Sequence, residues 1–282
     1  MAIDIIAAFE QQPPELDFVL PGFLSGTVGT LFSPGATGKS FWALQAAMAV
    51  AGGGEADILD LELQATGHVC YFAAEDPEPV LIRRLHSIGQ HLSQAAREAV
   101  AEKLLLEPVV GKRLNVMDDK HLDLLVTYCV GARLVVFDTL SRIHQEDEND
   151  NGAMSALLQR LEWLAKETGA AVLFLHHASK AAAISGNGGE QQAARGASAL
   201  VDNARWGAAL TRMTVDEAKK LSDRMDRKPI SMDRRQFFVK WSVPKNNYGS
   251  PVADRWFQRV EGGVLVPVEL VRAKKESSDR RW

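Results

Sequence analysis

The chain has 282 residues, 46% of them hydrophobic and 24% charged, and 32 Lys plus Arg against 36 Asp plus Glu give a formal net charge of −4. That composition is globular rather than disordered, and the length suits one large α/β domain or two smaller ones. It also excludes a polycation that coats nucleic acid, so any DNA contact must be a local basic patch.

The start, MAIDIIAAFEQQPPELDFVLPG, is acidic and lacks the basic and apolar regions of a signal peptide. No apolar run approaches the roughly 20 residues that a membrane helix needs, so no membrane partner is expected. The two cysteines, Cys70 and Cys129, are too few for a disulfide framework and are not spaced as metal ligands. A reducing, cytoplasmic setting is the expectation.

In chain order, residues 1–24 read as an N-terminal arm. Residues 28–32 then predict a strand and 39–52 a helix rich in Ala, Leu and Met. Residues 68–74 predict a second strand, followed by helices over about 78–91, 94–103 and 119–130. Residues 134–138 are a compact apolar strand, 153–168 a helix, and 170–176 another apolar strand. Apolar runs without polar alternation suit strands covered on both faces. Strand–helix–strand alternation at these spacings means βαβ units and a mostly parallel sheet flanked by helices. Residues 178–194 contain SGNGGEQQAA and read as a loop long enough to suspect function. From Arg205 the segments RWGAALTRM, FFVKWSV, RWFQRV and VLVPV predict strands that extend the sheet antiparallel. The domain is thus expected over 25–270, with 271–282 as a mobile basic tail.

The segment Ser33-Pro34-Gly35-Ala36-Thr37-Gly38-Lys39-Ser40, followed by Phe41, lies between a strand and a helix. Small residues there let backbone N–H groups wrap phosphates at the helix N-terminus, which predicts an ATP site. Lys39 supplies charge near the β- and γ-phosphates, and the Ser40 hydroxyl suits Mg²⁺. Ser33 stands where the P-loop pattern usually has glycine, and Gly35 is expected to restore some backbone freedom.

Asp138 ends an apolar strand, where a carboxylate can hold the Mg²⁺ hydration shell; its strand is expected beside that of the P-loop. Glu75, in YFAAEDP, also follows a strand and is the candidate to polarise the attacking water. Asp76, ahead of Pro77, reads as a helix N-cap. His176 and His177 end another strand and point to opposite faces. His177 is the candidate sensor of the γ-phosphate and His176 a supporting hydrogen-bonder; the alternative is that both are ordinary ends of a buried strand. Arg205 reads either as a surface partner of Asp202 or as a cation acting on a neighbouring subunit.

Taken together, these motifs, with ARGASALVDNARW and VPKNNYGSPVADRWF, resemble the RepA-type hexameric replicative helicases of IncQ broad-host-range plasmids, within the RecA/DnaB ATPase superfamily. The likeness runs over nearly the whole chain. It implies a RecA-like P-loop core and a homohexameric ring that hydrolyses ATP and translocates 5′→3′ on single-stranded DNA. It also implies that Arg205 is an arginine finger and that Lys245 reaches the neighbour's ATP. Many DnaB relatives carry Lys-x-Arg at this position, whereas here Asn247 replaces the Arg, which places more weight on Arg205.

Arg84, Lys180 and Arg195 are the candidate DNA contacts. The loop sequence lacks aromatics, so a salt-sensitive grip on the phosphate backbone is expected rather than base stacking. A short chain of this kind is expected to work with other replication proteins, such as an origin-binding initiator or a primase. The alternative reading is a regulatory or recombinase-type ATPase that binds DNA without separating its strands.

Overall fold

The computed structural model describes residues 2–177, 200 and 203–274. Among them, nine strands form one sheet. Its parallel part contains β3 (Val28–Ser33), β4 (His68–Ala73), β5 (Leu104–Pro108), β6 (Ala132–Asp138), β7 (Ala171–His177) and β8 (Trp206–Arg212), and β10 (Phe238–Asn246), β11 (Arg255–Arg259) and β12 (Leu265–Pro267) extend it. The order is β12-β11-β10-β8-β3-β7-β6-β4-β5. The extension is antiparallel from β10 onward, but β8 runs parallel to β3, with Gly29 opposite Trp206 and Phe32 opposite Ala209. The expectation of antiparallel strands from Arg205 onward is therefore corrected for β8.

Alternate residues of the central strands feed two cores. Leu134 and Val136 of β6 and Leu173 and Leu175 of β7 face the layer containing α2 (Lys39–Gly52). Val135 and Phe137, with Val172 and Phe174, face α5 (Asp119–Cys129) and α6 (Asn151–Thr168). Burial on both faces is why these strands read as unbroken apolar runs. Helix α2 is nearly enclosed, and its Ala-rich stretch lets it lie close to the sheet. Its Trp42 stacks on Trp241 of β10, ring centroids 5.4 Å apart.

Helices α2 and α4 (Gln94–Lys103) have the expected bounds. Helix α6 starts two residues earlier than expected, because Asp150 caps the N–H groups of Gly152 and Ala153. Helix α3 spans Glu78–Gly89. Strand β5 was not expected: it follows α4 without a turn and pairs with β4 at the sheet edge. Among the described residues no helix is long and apolar enough to cross a membrane.

Part of the expected arm belongs to the core. Strands β1 (Phe18–Leu20) and β2 (Phe23–Leu24) form a hairpin whose Val19, Leu20 and Phe23 are buried in the α2-side core. Phe23 stacks on Trp206 at 4.8 Å, and the Trp206 indole N–H donates to the Pro21 carbonyl at 3.0 Å. Arg133 secures the hairpin's entrance through a two-pronged bond to Asp17, at 2.8 and 2.6 Å. Ahead of it, α1 (Ile5–Glu10) buries no residue. At the other end, β13 (Val271–Arg272), inside the expected tail, pairs with β9 (Leu221–Ser222). This small sheet and helices α7 (Val215–Lys220) and α8 (Met232–Arg235) surround a minor core of Met213, Ala218, Ile230 and Phe238.

The hairpin's seat explains Gly29. A Cβ there would lie 2.8 Å from the Phe23 ring and 2.9 Å from that of Trp206. We expect Gly29→Ala to destabilise the fold by about 1–3 kcal/mol through overpacking. Denaturant titration checks this, and an unchanged midpoint would contradict the packing described.

Candidate active site

The carboxyl ends of β3, β4, β6, β7, β8 and β11 share one edge of the sheet, and the P-loop, Glu75, Asp138 and His177 converge there. Ser33 is the last residue of β3 and Lys39 the first of α2. Between them the backbone turns through two left-handed residues, Ala36 at φ 58° and Gly38 at φ 111°. Neither Ser33 nor Gly35 takes a left-handed conformation. A strand-bound Ser33 therefore needs no glycine, and the freedom expected of Gly35 is exercised at Ala36 and Gly38 instead. Thr37 is buried, and its hydroxyl closes the turn on the Pro34 carbonyl at 2.8 Å. The residues from Ala36 to Phe41 line a cleft of about 330 Å³ together with Glu75, Arg84, His177, Arg259 and Gly263.

Strand β7 lies between β3 and β6, so the Asp138 strand is one place farther from the P-loop strand than expected. This insertion puts His177 between the other two functional groups. Lys39 Nζ is 3.2 Å from His177 Nδ1, and His177 Nε2 is 3.6 Å from Glu75 Oε1. An ammonium only donates, so Nδ1 accepts and the ring proton sits on Nε2, facing Glu75. The imidazole thus joins the P-loop lysine to the candidate base. His176, on the opposite face, is buried. Its pKa is pushed down to about 4, first by burial and then by the neighbouring His177, Lys39 and His144 charges. It is neutral at physiological pH.

Asp138 is buried at the end of β6. Ser40 Oγ donates to one carboxylate oxygen at 3.2 Å and the Tyr71 hydroxyl to the other at 2.7 Å. Burial raises the Asp138 pKa, opposed by these two hydrogen bonds. Burial lowers the Lys39 pKa, opposed by Asp138 and Glu75. Tyr71 belongs to the β4 strand ahead of Glu75, and only its contact reveals it as a carboxylate support.

Asp76 does not cap α3. The cap residue is Pro77, without a side-chain bond, and Asp76 pairs with Arg84 at 2.5 Å. Arg84, expected on DNA, lies over the Phe41 ring at 5.3 Å in the wall of the cleft. Lys180 and Arg195, the other DNA candidates, lie outside the described residues.

Two arginines escaped the sequence reading. Arg212 ends β8 and donates to the Gly35 and Ala36 carbonyls at 3.2 and 2.8 Å, and Arg259 ends β11 and donates to the Thr37 carbonyl. Their signal was strand direction: both end strands that run parallel to β3, which brings them to the P-loop edge.

Arg205 and Lys245 lie at the other edge. The Arg205 N–H donates to the Val28 carbonyl at the start of β3, and its carbonyl accepts from Asn247 N–H at 3.3 Å. Lys245 stands opposite Gly207, near the start of β8. Arg205 is exposed.

Asp138 makes stability depend on pH. A carboxyl whose folded pKa is raised adds stability below its unfolded pKa of about 4, and that stability is lost as pH rises through the folded value. In ligand-free protein we expect the melting temperature of wild type relative to Asp138→Asn to be highest in acid and to fall toward neutrality. Paired melting curves across pH check this. A constant gap would mean that Asp138 burial does not govern its charge.

A family model described as an AAA domain matches residues 2–183. Among solved structures, the chain is similar to one described as an ATPase domain, with a TM-score of 0.61 at 16% identity, covering 94% of this chain and 96% of that one. It is also similar to a DnaB-like replicative helicase described with its interactions with primase, at a TM-score of 0.59 and 16% identity. That alignment covers 86% of this chain and 58% of the helicase, so the chain spans a little over half of it. At such identities the likeness shows the fold, an α/β core with a mostly parallel sheet and antiparallel strands toward the C-terminus. The family model matches well over half of the residues, and the chain belongs to the AAA domain family, built on the RecA-like fold of DnaB-type ATPase domains.

Proposed function

We propose that this chain is the subunit of an ATP-driven replicative DNA helicase of the plasmid RepA type, a homohexameric ring that moves 5′→3′ on single-stranded DNA. The observation that carries the reading is that the candidate residues fall at two opposite edges of the sheet. Lys39, His177, Glu75, Ser40 and Asp138 gather at one edge, and Arg205 and Lys245 occupy the other. A head-to-tail ring brings the second edge of one subunit to the first edge of the next, and such a heterologous interface closes when its rotation does.

In this reading Lys39 and the loop from Ser33 to Ser40 hold the triphosphate of ATP. Glu75 takes the proton of the attacking water, and the imidazole of His177 links that carboxylate to Lys39. Magnesium fits the donor set, because the Ser40 hydroxyl and Asp138 carboxylate are hard oxygen ligands placed together at the α2 start. Held there, it would supply positive charge to offset the negative charge of the phosphates. Arg205 from the neighbour supplies the guanidinium that stabilises charge in the transition state, supported by Lys245. Single-stranded DNA in the ring's channel is the expected partner, with an initiator or primase acting beside it.

Steady-state hydrolysis with and without single-stranded DNA, strand displacement and mass in solution together test the reading. DNA-stimulated turnover, unwinding and a hexameric mass support it. Stimulated turnover without unwinding favours a recombinase-type or regulatory ATPase, and a monomer indifferent to DNA overturns the ring.

A further inference from the structure

A P-loop holds phosphates with its N–H groups, so its carbonyls must face away and find partners elsewhere. Here three consecutive carbonyls, those of Gly35, Ala36 and Thr37, accept from two guanidiniums carried by the sheet. The loop between those contacts holds a left-handed alanine, which is uncommon without outside support. The approach of Arg259 also accounts for the glycine beside it: a Cβ on Gly38 would lie 2.9 Å from the Arg259 guanidinium nitrogen.

We propose that Arg212 and Arg259 are positioning residues that clamp the P-loop by its carbonyls, so that its N–H groups are already aimed at the phosphates before nucleotide arrives. The clamp rests on the nucleotide reading of the cleft and deepens it. Arg212 fixes the crest of the loop and Arg259 its last residue before the helix cap. Both come from the ends of strands in the sheet, which are rigid mounts. Such preorganisation reduces the ordering cost of binding. The clamped carbonyls belong to the loop as a whole, so losing either arginine should weaken ADP and ATP alike.

The test measures affinities for fluorescent ADP and a slowly hydrolysed fluorescent ATP analogue, with magnesium, in wild type, Arg212→Ala, Arg259→Ala and Arg259→Lys. Melting temperatures are taken without nucleotide. We expect both alanine variants to lose about tenfold for both nucleotides, the scale of one charge-assisted hydrogen bond. Arg259→Lys, which keeps one donor for the Thr37 carbonyl, should recover most of its loss. Ligand-free melting should shift by no more than about 3 °C. Should an alanine variant fail to fold, Arg212→Gln and Arg259→Gln keep an amide donor and carry the same comparison. Unchanged affinities overturn the clamp. A loss confined to the ATP analogue overturns it too, because that pattern marks direct contact with the γ-phosphate. If wild type itself binds neither nucleotide, the reading of the cleft fails first and the clamp with it.

Discussion

Arg205→Ala will reduce ATP turnover by about 10³–10⁵-fold, the range measured when an arginine finger is removed, while the P-loop still binds nucleotide. The geometry behind this expectation is simple. Arg205 is bonded through its backbone to Val28 at the start of β3, whereas the P-loop begins at the end of that strand. At roughly 3.3 Å per residue the separation is about 17 Å, farther than an arginine side chain extends. Any action of Arg205 on ATP is therefore action on another subunit's ATP. The side chain is exposed, so its guanidinium is open to a neighbouring subunit. Hydrolysis assays on protein of verified mass check the point. An assembled Arg205→Ala protein that turns over at the wild-type rate would remove the finger from the mechanism.

Glu75→Gln is expected to cost about 10²–10⁴-fold in turnover, the usual contribution of a positioned general base. The amide has the same shape and its carbonyl oxygen can still face His177 Nε2, 3.6 Å from the carboxylate in the wild type, so the Lys39–His177 contact at 3.2 Å should survive. It cannot take a proton from water. Nucleotide binding, measured with a fluorescent analogue, should therefore persist while hydrolysis collapses. Wild-type turnover in Glu75→Gln would transfer the base role elsewhere. Loss of binding would mean that the carboxylate's charge holds Lys39 in place rather than activating water.

The parts of this protein legible in its sequence are those where one local signal leaves no second choice. The apolar run of β3, the Gly-Lys-Ser at 38–40 and the Ala-rich helix fix the strand–loop–helix unit almost to the residue. Asp138 and His177 end apolar strands and Glu75 closely follows one, and in a parallel sheet strand ends meet at one edge, so their convergence was foreseeable. What was missed depends on topology or on competition. Nothing local distinguishes a parallel β8 from an antiparallel one, and that direction decides whether Arg212 reaches the P-loop or the opposite edge. Leu104–Pro108 continues the apolar pattern of α4, so the change from helix to edge strand is set by pairing with β4. Strands as short as 18–20 and 23–24 carry no measurable period, although Phe23 on Trp206 makes them part of the core. Asp76 ahead of proline looks like a cap, but Arg84 of the same helix takes its carboxylate.

The central claim is that the catalytic site is completed between subunits, and mixing two inactive variants tests it most directly. Lys39→Ala lacks a working P-loop but keeps Arg205. Arg205→Ala lacks the finger but keeps its P-loop. In randomly mixed rings at equal amounts, about a quarter of the interfaces pair an intact P-loop with an intact finger. We expect hydrolysis to reappear on mixing, up to about that fraction of wild type, once subunit exchange has been verified by mass. If the mixture exchanges subunits and stays as inactive as its components, Arg205 does not act across the interface and the account is contradicted.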